Sequence, residues 1–185
     1  MQRQTLSFLK VPVLAAGTIV LLAGSVSAQT TVPLSDTSQT TVLTATVREQ
    51  ARVTLPTGVN FNVSDVTSAT TATGAGLTIS NIVMATATKQ LKVSVQAEAA
   101  SFTAPGGATT WSASDVTWNA ATWTSAAGAS GTLSNSAYNA VATCTADSAA
   151  CSTTGLQFTL AAKPTVQRSG NHTLTVRWKV EAIGS

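Results

Sequence analysis

Period-two alternation of apolar and polar residues constrains this chain more than any other feature. Near the C-terminus Leu174, Val176, Trp178 and Val180 alternate with Thr173, Thr175, Arg177, Lys179 and Glu181, the pattern of a strand with one buried and one solvated face. Leu91, Val93, Val95 and Ala97 repeat it against Lys92, Ser94, Gln96 and Glu98. Weaker runs occur at Leu43-Ala45-Val47, Val53-Leu55, Val59-Phe61-Val63, Leu77-Ile79 and Leu156-Phe158-Leu160. Turn formers separate them: Pro56-Thr57-Gly58, Gly74-Ala75-Gly76, Pro105-Gly106-Gly107, Gly128 to Gly131 and Ser169-Gly170-Asn171. No window has the 3.6-residue period of an amphipathic helix. Seven or more short strands punctuated in this way predict an all-β fold, an antiparallel β-sandwich with an immunoglobulin-like Greek key; a jelly roll is the alternative.

The first 28 residues read as an export leader. Arg3 and Lys10 supply a positive start, Val11 to Leu22 an apolar run, and Val26-Ser27-Ala28 the small residues a signal peptidase requires before Gln29. The run is too short for a stable membrane-crossing helix, and no Cys follows the cleavage site to accept a lipid. The expectation is a secreted chain, extracellular or on the cell surface, passing through the periplasm if the cell has one, and not stably inserted in a membrane. Of 185 residues a mature chain of 157 then remains, enough for a single domain.

Without Arg3 and Lys10 the formal charge of +3 falls to about +1. The remaining Lys and Arg are scattered rather than clustered, which argues against a nucleic-acid partner. Charged residues make up 9% of the sequence, against about 25% in an average soluble protein. A surface of Thr, Ser and Ala buries against a neighbour with little charge desolvation. Self-association is therefore expected, with a stable extracellular monomer of bland surface as the alternative.

In an exported chain the pair Cys144 and Cys151 reads as a disulfide. So short a loop adds about 2.5 kcal/mol on the loop-entropy estimate, and its expected role is to pin a surface loop or hairpin. Residues 29–41 form a polar N-terminal tail before the sandwich domain at 42–185. The tail is read either as a flexible extension or as a donor strand that adds to the open edge of a neighbouring sandwich.

Trp111, Trp118 and Trp123 lie close together in a Ser/Thr/Ala-rich stretch. Exposed rings on a sandwich could stack on sugars, which makes an extracellular polysaccharide the alternative partner. Buried rings would simply fill the core, and the alternation around Trp118 suits that role. Thr-Ala-Thr recurs at 44–46, 71–73 and 86–88, but without the regular period of a repeating coil.

Catalytic constellations are sparse. His172 is the sole imidazole and lies beside the Ser169-Gly170-Asn171 turn, Gly-x-Ser-x-Gly is absent, and seven acids are dispersed along the chain. No phosphate-cradling loop, calcium loop or metal-ligand spacing occurs. No cofactor and no metal are expected, nor an enzyme.

The leader, the Thr/Ser/Ala-rich and charge-poor chain, the short disulfide loop and the terminal strand Gly170-Asn171-His172-Thr173-Leu174-Thr175-Val176 together resemble subunits of bacterial surface fibres, the pilin and fimbrial class. The disulfide departs from the common fimbrial arrangement, in which the bridge spans the early strands. The resemblance implies a structural role in adhesion, biofilm or a surface filament, with other fibre subunits as partners. The leading expectation is thus a non-enzymatic secreted surface subunit; the alternative is a carbohydrate-binding module.

Overall fold

The computed structural model describes residues 41–185 together with Thr31, Ser38 and Thr40. The leader at 1–28 and most of the tail at 29–41 lie outside the described residues. Ala45–Ser185 forms one compact unit, and it is the unit described here.

Among the described residues there are eleven strands: β1 (Gln50–Thr54), β2 (Thr70–Thr71), β3 (Ala75–Val83), β4 (Gln90–Ala97), β5 (Val116–Trp118), β6 (Ala126–Gly128), β7 (Gly131–Thr132), β8 (Asn139–Cys144), β9 (Cys151–Leu156), β10 (Phe158–Leu160) and β11 (Val176–Ile183). The only helical pieces among the described residues are single 3-10 turns at Pro105–Gly107 and Ala113–Asp115. The strands form three antiparallel sheets, ordered β1-β3-β9, β2-β10-β5-β7 and β11-β4-β8-β6. The protein is an all-β antiparallel sandwich, as the alternation predicts. Its neighbours within each sheet are non-consecutive in sequence, so the connections cross between layers.

The two clearest alternating runs become β4 and β11, paired in register from Val176↔Ala97 to Ile183↔Gln90 without a bulge. Leu91, Val93, Val95 and Ala97 turn inward and are buried. They join Leu77 and Ile79 of β3, Val141 of β8 and Leu156 of β9 in one apolar core. Phe158 and Leu160 are buried as well, but the chain bends at Gln157 and changes sheet. Leu156 pairs with Ala75 of β3, whereas Phe158 pairs with Trp118 of β5.

Several expectations fail for physical reasons. Leu43-Ala45-Val47 forms no strand, and residues 41–49 are exposed throughout. Their alternation is real, but no edge within the described unit pairs with them. Val59, Phe61 and Val63 are half-buried against the core and alternate with exposed residues, yet no strand pairs with them either. Gly74-Ala75-Gly76 is no turn: Ala75 and Gly76 open β3. Leu174 precedes the last strand, although Thr173 forms an isolated bridge with Thr103. In the second sheet, β10 comes from the Leu156-Phe158-Leu160 run and β5 carries the alternation around Trp118, whereas β2 and β7, of two residues each, carry too little periodicity to be read.

Candidate functional site

All three clustered tryptophans are inside the protein. Trp111, Trp118 and Trp123 are 4%, 3% and 8% exposed. Trp118 lies on β5, between Val116 and the sheet switch at Phe158, so strand alternation alone points it inward. Its indole N–H donates to Ala129 O at 2.9 Å. The Trp111 N–H donates to Ala161 O at 2.9 Å, and the ring meets Phe102 and His172 edge-on. Trp123 is buried with its indole N–H unpartnered in the protein. The rings therefore present no face on which a sugar could stack, and the stacking expectation for Trp111, Trp118 and Trp123 is corrected to one of core packing.

Two of these rings depend on glycines. A Cβ at Gly131 would lie 2.4 Å from the Trp118 ring, and one at Gly128 would lie 2.8 Å from the Trp123 ring and 2.2 Å from Ala121 O. Neither glycine has a positive φ. They are needed for close approach, not for a left-handed turn, and reading Gly128 to Gly131 merely as turn formers missed this. The only signal in the sequence was two glycines following two tryptophans closely in a stretch otherwise poor in large residues.

The polar groups serve the fold. His172 shares a 2.8 Å hydrogen bond between Nδ1 and Thr110 Oγ1, and its Nε2 lies 3.2 Å from Arg168 O. It holds the loop before β11 over Trp111. Asp115 accepts from the Ser112 backbone N–H and from Lys163 Nζ, each at 2.7 Å. Burial works to raise its pKa, but these two partners outweigh it and hold the carboxyl below its ordinary value. Glu49 is lowered by Lys89 and the Ala85 N–H, Asp65 by the Thr67 N–H and the Thr67 and Ser68 hydroxyls, and Glu181 by Lys179 and Lys92. Each of these four carboxylates is stabilised in its charged form, opposite to the raised pKa that a general acid needs. Among the described residues no three His, Cys, Asp or Glu side chains are grouped so as to hold a metal. A cleft of about 240 Å³ between Met84, Thr86, Asp147 and Ser148 falls short of the usual size of a ligand pocket.

Cys144 and Cys151 form the expected disulfide, but its place differs from the expectation. Both residues are fully buried. They join the end of β8 in one sheet to the start of β9 in another, with Cα atoms 5.9 Å apart. The bridge pins two layers of the core as well as closing a loop.

The most distinctive surface is the outer edge of β11. Glu98 N donates to Thr175 O at 2.9 Å, which fixes the phase of the ladder with β4. Val176, Trp178, Val180 and Ala182 then turn their N–H and C=O groups away from β4. Among the described residues no strand pairs with that side. The side chains of Trp178 and Val180 are only half-buried against the core. The opposite face of β11 carries cross-strand ion pairs, Arg177–Glu98 at 2.7 Å and Lys92–Glu181 at 3.0 Å, while Lys179 also reaches Glu181. Sequence alternation located this strand; that it is an edge depends on its neighbours, which a single strand's sequence does not specify.

No family model matches the chain, and no characterised protein or solved structure matches it either. Among the described residues no helix is long and apolar enough to cross a membrane.

Proposed function

We propose that the mature chain is a non-enzymatic, exported structural or adhesive subunit that assembles on the cell surface by adding strands from copy to copy. The observation that carries this reading is the eight-residue outer edge of β11, regular and without bulge or proline. Natural sandwiches usually guard such an edge, because it templates pairing with another chain. Three features support it. The surface carries few charges to desolvate. The described carboxylates with shifted pKa values are committed to structural partners. The rings that favoured carbohydrate binding are in the core.

The test is purification of the chain beginning at Gln29, followed by sizing and negative-stain microscopy. The reading expects high-mass, detergent-resistant assemblies that grow with concentration. A single-domain monomer at every concentration refutes it. Export is tested separately by mass spectrometry of secreted material, in which an intact segment 1–28 counts against the leader.

A further inference from the structure

Residues 41–47, Thr-Val-Leu-Thr-Ala-Thr-Val, are exposed, without secondary structure, and make no backbone hydrogen bond with another described segment. Leu43 is 92% exposed and Val47 70%, although most other Val and Leu of the described unit are buried or half-buried. Thr41, Leu43, Ala45 and Val47 fall on one face of an extended chain, and Val42, 89% exposed, falls with Thr44 and Thr46 on the other. The segment is β-branched, uncharged and strand-like in every local respect, yet it has no sheet.

We propose that Thr41–Val47 of one copy is the strand that pairs along the outer edge of β11 in a second copy, seating Leu43, Ala45 and Val47 beside Trp178 and Val180. This rests on the assembly reading above and moves its donor from residues 29–41 to the arm that follows. The lengths agree: seven extended residues span about 23 Å and the eight of β11 about 26 Å. The alternation agrees too. In the register that sets Leu43, Ala45 and Val47 opposite β11 residues with outward backbone groups, the arm's side chains lie on the same face as half-covered Trp178 and Val180. The arm carries no charge to repel Arg177 and Lys179 on the other face. A second copy is the occupant because every copy carries one arm and one edge. Such a contact is heterologous and propagates head to tail.

The test uses three variants of the mature chain. Leu43→Asp with Val47→Asp disables the arm at exposed positions, so the domain still folds. Ala182→Pro disables the edge, since it removes an outward N–H and leaves the bonds to β4 intact. Deletion of 29–40 removes the preceding tail only. The arm variant and the edge variant should each raise the concentration needed for assembly at least tenfold, and the deletion should assemble as the parent does. The arm variant retains an edge and the edge variant retains an arm. Mixed, they should form a 1:1 dimer that neither forms alone. Suppose the deletion abolishes assembly while the arm variant assembles normally. The donor is then the preceding tail: the inference fails and the assembly reading stands. If the single variants stay monomeric and the mixture forms no dimer, β11 is not the acceptor. A parent chain that stays monomeric at every concentration overturns both.

Discussion

Gly131→Ala tests whether Trp118 is a fixed core ring. The added methyl would start 2.4 Å from the ring, where carbon atoms in contact normally sit about 3.5–4.0 Å apart. An overlap of about 1.1 Å must be relieved by moving the ring or the strand. The ring is 3% exposed, its N–H is bound to Ala129 O at 2.9 Å, and Phe158 lies 6.1 Å away on its flank. Overpacking of this kind costs about 1–3 kcal/mol, and a ring displaced far enough to lose its hydrogen bond adds about 1 kcal/mol. A loss of about 3 kcal/mol should lower Tm by roughly 6–12 °C in a domain of this size. Gly58→Ala is the control: nothing lies within 4 Å of its Cβ position, so it should be neutral or stabilise by up to about 1 kcal/mol. Urea and thermal unfolding of both variants measure the difference. If Gly131→Ala changes stability by less than about 0.5 kcal/mol, the ring moves aside freely, and its packing against β7 is not what holds it inside.

The disulfide should matter beyond its loop: Cys144→Ala with Cys151→Ala should lose about 3–4 kcal/mol, the loop-entropy share of about 2.5 kcal/mol plus that of two buried sulfurs; a loss under about 1 kcal/mol in chemical denaturation would show that the bridge does not tie the layers together. Asp115→Asn should cost about 1–2 kcal/mol near neutral pH by weakening the bonds to Lys163 and the Ser112 N–H. Because the folded pKa of Asp115 is depressed, its stabilisation is complete above the unfolded value near 4 and is lost as pH falls through the lower folded value; unfolding midpoints of parent and variant should therefore converge below about pH 4, and a gap that widens in acid contradicts the assignment. Ser94 is fully buried with its hydroxyl unpartnered in the protein. Ser94→Ala should be neutral or stabilise by up to about 1 kcal/mol, and a clear destabilisation in thermal unfolding would point to a partner for that hydroxyl.

What could be read in advance divides by how local its cause is. The strands β4 and β11 were legible because each spans eight residues of strict alternation, long enough for the period to exceed chance. The bridge between Cys144 and Cys151 was legible from compartment and parity. Its burial was not, because nothing in the loop says that β8 and β9 belong to different sheets. The tryptophans show the same limit. Trp118 could be placed inward by alternation, but Trp111 and Trp123 are covered by loops whose path depends on Ala161, His172 and Gly128, residues 5 to 61 positions away. The segment from Leu43 to Val47 is the converse: its local pattern is that of a strand, and the described unit supplies no sheet to complete it.

That last mismatch bears on why this edge is open. β1 also lies at a sheet edge, but its register with β3 is broken between Gln50 and Arg52, and Asn81 of β3 has a left-handed φ of 53°. Such an irregularity twists an edge and spoils it as a template. The edges of the second sheet, β2 and β7, offer two residues each, too few to bind an extended chain. β6 offers three, and it ends at Gly128, packed against Trp123. β11 lacks all of these protections. Its Arg177, Lys179 and Glu181 are drawn into ion pairs on the solvated face, so they do not guard the backbone groups between them. The remaining edge, β9, shifts register with β3 between Ala75 and Leu77, and its Ser152 already exchanges two backbone hydrogen bonds with Thr124. A sandwich in which short, irregular or partly covered strands blunt the other edges, while the longest edge stays straight, would direct the proposed association to one place. The strand best matched to that place by length, neutrality and alternation is the unpaired arm of the same chain.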